Sequence, residues 1–364
     1  MSRHLVVMAA GTGGHVIPGL AVATELQRRG WSVSWLGTRT GMENQLVPPT
    51  GIPLDSIAFN GLRGKNVVQT LLGGLRLLKA FWDCRAILKR RSADAVLGMG
   101  GYVCFPGGLM ASWLNRPLVL VNADATLLLS NKALLPLADR VAFGFDGPAA
   151  RGTKQGLVTG NPVRQAIAAL PAPAERFAGR SGPLRVLVVG GSLGARALNQ
   201  AVPAALALLP AAARPSVLHQ TGNANLASVE ADYDARGLQA EVRPFIDDMA
   251  AALAEADLVI CRAGAVTVSE LCAAGVAAVF VPLVVSTTAH QRDNAQHMAA
   301  QGAGLHLPQA EATPERLAAL LRDTDRAQCQ AWAERARALA LPNAAARVAD
   351  EIERLTPEPK GRAA

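Results

Sequence analysis

The chain is poor in aromatic residues, poor in cysteine and without an unbroken apolar run of membrane-spanning length. Aromatics make up 4% of its 364 residues, too few for the stacking platforms of single-strand binders, and no RNA or DNA module is recognisable, so nucleic acid is not an expected partner. The five cysteines, Cys84, Cys104, Cys261, Cys272 and Cys329, are odd in number, widely spaced and free of any CxxC pair. They point to buried, reduced thiols in a cytosolic protein. No His, Cys or carboxylate cluster has metal-ligand spacing, and Asp247-Asp248 is not a DxD motif. Neither a metal nor another cofactor is expected. Two long uncharged stretches, 95–115 and 271–291, are interrupted by glycines with Pro106 and by Pro282; neither reads as a lipid-spanning helix. The start, MSRHLVVMAAGTGGH, has no basic segment or cleavage site, so no signal peptide is expected.

What is present is a hydrophobic fraction of 50% against 18% charged residues, the composition of a packed globular protein, and the length favours two domains. Lys and Arg number 36 against 28 Asp and Glu, a net charge of +8. Residues 1–161 hold 17 basic and 8 acidic side chains, whereas 162–364 hold 19 and 20. The excess lies in the first half, and is densest in 62–91, where Arg63, Lys65, Arg76, Lys79, Arg85, Lys89, Arg90 and Arg91 face Asp83 alone. Interleaved with these cations are Val67, Val68, Leu71, Leu72, Leu75, Leu77, Leu78, Phe81 and Trp82. Two readings stand: a surface helix whose apolar stripe packs on a sheet, or a patch that binds an anionic membrane surface.

Short apolar runs alternate with helical periodicity. Leu5–Ala9 leads into Gly11-Thr12-Gly13-Gly14-His15 and then a helix that stops near Arg29-Gly30; Val186–Val189 leads into Gly190-Gly191-Ser192-Leu193-Gly194-Ala195 and a helix from about Ala197. Further strands are expected at 31–36, 95–97, 118–121, 140–143, 216–219, 241–243, 258–260 and 278–282. The fold class is α/β: two Rossmann-like, doubly wound parallel-sheet domains facing across a cleft. The divisions are 1–161, 162–340 and a C-terminal helix and tail, 341–364, packing back on the first domain. Gly160-Asn161-Pro162-Val163-Arg164 has the composition of a hinge.

Glycine loops between a strand and a helix bring backbone N–H groups and the helix N-terminus to an anion. Three occur, at 11–15, at 98–102 with Pro106-Gly107-Gly108, and at 190–195. None matches the dinucleotide or P-loop pattern, and any one alone can be a tight turn. The stretch Arg262-Ala263-Gly264-Ala265-Val266-Thr267-Val268-Ser269-Glu270 enters a helix with small residues and an early carboxylate, which can hold a diphosphate by backbone and sugar hydroxyls by Glu270, or can merely complement the helix dipole. His290-Gln291 and Asn294 form a polar turn suited to reading hydroxyls. His15 is a candidate general base.

These segments, with Phe245-Ile246-Asp247-Asp248-Met249, occur in an order that resembles the MurG family of peptidoglycan glycosyltransferases over nearly the whole chain. That resemblance implies a GT-B fold and inverting, metal-independent transfer of N-acetylglucosamine from UDP-N-acetylglucosamine (UDP-GlcNAc) to lipid I, the undecaprenyl-linked muramyl-pentapeptide, giving lipid II. It implies a peripheral protein on the cytoplasmic face of the bacterial inner membrane, with other cell-wall synthesis proteins as further partners. Carried over by position, the donor site comprises Thr12, Gly13, Gly14, Asp124, Arg164, Ser192, Phe245, Ile246, Ala265, Val266, Thr267, Val268, Ser269, Glu270 and Gln291. Phe245 and Ile246 would frame the uracil, Gln291 would read sugar hydroxyls, and Arg164 would reach the donor from the hinge. Thr12, Gly13, Gly14, His15, Gly100, Gly101 and Tyr102 would line the acceptor side, with His15 and Glu270 catalytic. The chain departs from the family at Val121-Asn122-Ala123-Asp124, where His-Glu-Gln-Asn is common, and at Leu193, where Gln is usual. The alternatives are a 2-epimerase, a transferase to another acceptor, or a nucleotide-sugar-binding membrane protein with weakened catalysis.

Overall fold

The computed structural model describes residues 2–59, 67–191, 194–283 and 289–356, the side chains of 67–72 excepted. They divide into two compact units, one made of the residues up to Val163 with those from Asn343 on, the other of Arg164–Pro342.

The first unit is a seven-stranded sheet of β1 (His4–Ala9), β2 (Ser32–Thr38), β3 (Leu54–Ile57), β4 (Ala95–Gly100), β5 (Leu118–Asn122), β6 (Arg140–Phe143) and β7 (Gly156–Val158), in the order β3-β2-β1-β4-β5-β6-β7. Every pairing is parallel. Leu5, Val6, Val7 and Met8 of β1 have no exposed surface, because helices cover both faces of a parallel sheet and its strands must be apolar on both sides. The strand order reverses between β1 and β4, the place where ligands of such sheets bind. The helix Ala344–Leu355 belongs to this unit: Val348, Ala349 and Ile352 join the core that holds Val22 and Leu26 of the helix Gly13–Arg28. Arg29 pairs with Asp350 at 2.6 Å and with Glu353 at 2.8 Å, and Arg140 with Glu351 at 3.1 Å.

The second unit repeats the plan with six parallel strands, β8 (Arg185–Val189), β9 (Ser216–Gln220), β10 (Glu241–Arg243), β11 (Leu258–Cys261), β12 (Ala277–Phe280) and β13 (Leu305–His306), in the order β10-β9-β8-β11-β12-β13. Its reversal lies between β8 and β11. The expected pair of doubly wound parallel sheets is present. Strands β3, β7 and β13 were absent from the sequence expectation, since two to four residues with a polar or glycine member carry too little periodicity. All five cysteines are free and buried. Burial pushes the Cys84, Cys104, Cys261, Cys272 and Cys329 thiols up to about 12, so they stay protonated and inert. Among the described residues no helix is long and apolar enough to cross a membrane.

Candidate functional site

The strand reversal of the first unit brings together the loop after β1 and the loop after β4. Ala10 N–H donates to the Gly100 carbonyl at 3.3 Å, joining the two. Gly100 and Gly101 have φ of +119° and +90°. A Cβ on Gly100 would lie 2.5 Å from His15 Cδ2, and one on Gly101 would lie 2.4 Å from the Ala10 carbonyl oxygen. The His15 ring therefore sits directly on the Gly100 backbone. His15 Nδ1 is 3.3 Å from the Ala10 oxygen; a carbonyl can only accept, so Nδ1 carries the proton and Nε2 the lone pair. Burial lowers the His15 pKa below its ordinary value, against the Ala10 hydrogen bond and the Asp124 and Glu43 carboxylates, which raise it. The ring is neutral at pH 7, as a proton acceptor must be. Thr12 caps the helix Gly13–Arg28 with no side-chain hydrogen bond, and the first turn has no acidic residue, which leaves positive potential at the loop.

In the second unit the corresponding loops follow β8 and β11. Gly190 and Gly194 cannot carry a side chain: a Cβ would lie 2.2 Å from Ala195 N in one case and 1.8 Å from the Thr221 oxygen in the other. After β11, Gly264 is the N-cap of the helix Ala265–Ala274, again with no side-chain cap and no acid in the first turn. Asn294, with no exposed surface, donates to the Ala263 oxygen at 3.0 Å and ties this loop to the helix His290–Ala300. Glu270, 7% exposed, forms a bidentate pair with Arg164: Nε to Oε1 at 2.8 Å and Nη2 to Oε2 at 3.0 Å. The Gln291 Oε1 accepts from Leu283 N–H at 2.9 Å.

The basic stretch forms the helix Val67–Arg90. Ala80, Cys84, Ile87 and Leu88 pack into the core, so the ordinary reading accounts for one face. A second apolar row at helical spacing, Leu75, Leu78 and Trp82, is 64, 57 and 61% exposed. Trp113, 63% exposed, stands beside Trp82 with ring centroids 6.5 Å apart, and Arg85 lies over the Trp82 ring. Arg90 and Arg91 are ion-paired with Asp55, and Lys79 with Asp83. Arg63 and Lys65 lie outside the described residues.

Comparison with known proteins gives the lineage. The model of the glycosyltransferase family 28 N-terminal domain matches residues 5–143, and that of the family 28 C-terminal domain matches 185–355. The chain belongs to glycosyltransferase family 28. A family relative in Methylibium petroleiphilum, named UDP-N-acetylglucosamine–N-acetylmuramyl-(pentapeptide) pyrophosphoryl-undecaprenol N-acetylglucosamine transferase, is 69% identical over 358 residues, covering 97% of this chain and 98% of the relative. A relative of the same name in Chromobacterium violaceum is 64% identical, covering 98 and 99%. The crystal structure of Acinetobacter baumannii MurG superposes with a TM-score of 0.82 at 40% identity, covering 97% of this chain and 99% of that one.

Within this family frame, the residues expected at the site fall into two groups. Thr12, Gly13, Gly14, His15, Gly100, Gly101 and Tyr102 all lie at the reversal of the first sheet, with Gly11, Thr12, Gly14 and Tyr102 exposed. Asp124 also belongs to this unit, where its charge acts on His15. Arg164, Ala265, Val266, Thr267, Ser269 and Glu270 gather after β11 in the second unit. Val268 has no exposed surface and Ile246 is 2% exposed, so these two can offer a ligand only backbone, whereas the Phe245 ring is 51% exposed. Ser192 and Leu193 lie outside the described residues. Sequence reading missed Asn122 and Glu43. The fully buried Asn122 side chain donates to the Asp124 and Thr126 carbonyls at 2.8 and 3.0 Å and accepts from Leu128 N–H at 2.9 Å, fixing the loop after β5. A lone Asn at a strand end gives no signal of that.

Proposed function

We propose that this chain transfers N-acetylglucosamine from UDP-GlcNAc to the muramyl sugar of lipid I, with inversion, making lipid II. The substrates are those in the names of its full-length relatives. The observation of this molecule that carries the reading is His15, a histidine held neutral with its free lone pair at the reversal of a parallel sheet. Transfer asks for two things, a base for the acceptor hydroxyl and stabilisation of the departing diphosphate. His15 Nε2 takes the hydroxyl proton as the oxygen attacks the anomeric carbon. The N–H groups at the start of the helix Ala265–Ala274 meet the negative charge that develops on UDP, and Glu270, oriented by Arg164, accepts hydrogen bonds from sugar hydroxyls. Phe245 offers its exposed ring to the uracil. In this reading the donor is held mainly by the second unit and the acceptor by the first.

The same reading places the protein peripherally on the cytoplasmic face of the inner membrane. Leu75, Leu78, Trp82 and Trp113 insert at the interface, while Arg76, Arg85 and Lys89 meet anionic headgroups. Labelled UDP-GlcNAc incubated with the protein and a lipid I analogue should yield labelled lipid II. Folded protein that gives no labelled lipid would refute the reading, and conversion of the donor without any acceptor would point to an epimerase instead.

A further inference from the structure

The loop that leads into the helix bearing His15 is held by a side chain that the transfer step does not use. Glu43, at the start of the short helix Glu43–Leu46, has no exposed surface. Its Oε1 accepts from the Thr38 backbone N–H and hydroxyl, each at 2.7 Å, and its Oε2 accepts from Gly11 N–H at 3.0 Å. The strap closes in the other direction, for Met42 N–H donates to the Gly11 carbonyl at 3.1 Å. Both polar groups of the Gly11 backbone are therefore taken by two consecutive residues of one segment. Gly11 has φ of +100°, the left-handed region in which glycine is least strained.

The surroundings are cut to fit the carboxylate. A Cβ on Gly41 would lie 2.0 Å from Glu43 Oε2, and one on Gly37 would lie 2.7 Å from Glu43 Cγ. A carboxylate is an acceptor only, so it satisfies three converging donors with no hydrogen of its own facing them. A glutamine of the same shape would set an NH2 against at least one of them. Burying a charge is costly, and here its partners are Thr38, at the end of β2, and Gly11, in the loop between β1 and the helix that bears His15.

We propose that Glu43 is a positioning residue for the transfer reaction, clamping Gly11 so that His15 and the exposed N–H groups of the loop keep the register the acceptor requires. This rests on the reading of His15 as the base. Glu43 touches no substrate in it. The charged groups that act on His15 are Asp124 and Glu43, both carboxylates that raise its pKa.

Two variants of the full chain separate the clamp from a general contribution to stability. Glu43→Gln keeps the volume and removes the charge; Gly41→Ala keeps the charge and displaces the carboxylate. Backbone hydrogen exchange of 9–16, measured without substrate, should be at least about tenfold faster in both. With lipid I analogue, kcat should fall by about tenfold to a hundredfold, as expected for a misplaced catalytic group, while the KM for UDP-GlcNAc stays within about twofold. The acidic limb of the kcat/KM profile should move to lower pH in Glu43→Gln, because a carboxylate that raises the His15 pKa is gone, and should hold in Gly41→Ala. Wild-type exchange rates in both variants would overturn the clamp. Faster exchange with full kcat at temperatures well below each variant's melting point would overturn its role in the reaction. If the wild type itself transfers nothing, the proposed function falls, and the exchange comparison still decides whether Glu43 clamps the loop.

Discussion

The two units share one topology and use it differently. In the first, the reversal point is organised around ionisable groups: His15 lies on Gly100, the carboxylates of Glu43 and Asp124 act on it, and Glu43 is tied to Gly11. In the second, neutral side chains hold the loops, Asn294 on the Ala263 carbonyl and Gln220 within 3.4 Å of the Gly191 carbonyl, while Arg164 and Glu270 neutralise each other. A parallel sheet supplies the position and the side chains at its strand ends supply the chemistry. Both units present a bare helix end at the reversal; the one with the titratable cluster suits moving a proton, and the one with a paired carboxylate suits holding a diphosphate sugar.

On that division of chemistry, the largest effect belongs to the first unit. His15→Ala should lower kcat by about 10²- to 10⁴-fold, the range for a positioned base, and leave donor affinity in place. Gly100→Ala should come close to it, because the backbone there is left-handed and the new methyl would occupy the space of the His15 ring. Normal turnover by Gly100→Ala would show that the ring position is unimportant.

Next in size, Glu270→Ala should weaken UDP-GlcNAc binding by about tenfold to a hundredfold, corresponding to a lost charge-assisted hydrogen bond of about 1.5–3 kcal/mol. Arg164→Ala should weaken it too, since it leaves the largely buried Glu270 without its bidentate partner. Calorimetric titration with UDP-GlcNAc measures both, and an unchanged dissociation constant in Glu270→Ala would assign that carboxylate to the fold.

A smaller effect separates the units by pH. Burial lowers the His219 pKa to about 4 from an ordinary 6.5; its ring lies between Tyr233 Oη at 3.0 Å and Asn199 Oδ1 at 3.2 Å. Between those two values the unfolded chain binds the extra proton, so stability should fall as the pH drops below about 6.5. The loss should reach about 2 kcal/mol at pH 5. Urea melts of the wild type and His219→Gln at pH 7 and pH 5 test this, and equal pH dependence in the two would remove His219 as the cause.

The smallest effects concern the surface helix. Replacing Arg76 and Lys89, which form no ion pair among the described residues, should cost about 1 kcal/mol each in binding to anionic vesicles at low salt. Neutralising Arg76, Lys79, Lys89 and Arg90 together should cost less than four times that, since Lys79 and Arg90 already have carboxylate partners. Vesicle sedimentation unaffected by all four changes would rule the patch out.

Most of the architecture was legible in the sequence because parallel strands buried on both faces leave apolar runs, and β1, β4 and β8, at the strand reversals, run into glycine-rich loops. The loops were legible for the same reason, since Gly100, Gly101 and Gly194 stand where no other residue fits. Two things were not. The second apolar row of the helix Val67–Arg90 is hidden among core-facing residues of the same type, and only packing separates Leu78 from Ile87. Glu43 and Asn122 act through contacts with residues 32 and 6 positions away, and such long-range or irregular pairings leave no period to read. Asp124, where the chain departs from the family pattern, stands in the unit that holds His15, and its carboxylate acts on that ring.

The division of labour is tested most directly by measuring donor affinity and single-turnover transfer to a lipid I analogue on the same preparations of His15→Ala and Glu270→Ala. His15→Ala should bind UDP-GlcNAc like the wild type and transfer at least about a hundredfold more slowly, while Glu270→Ala should lose donor affinity. A His15→Ala protein that transfers at the wild-type rate, or that fails because it no longer binds UDP-GlcNAc, would contradict that division.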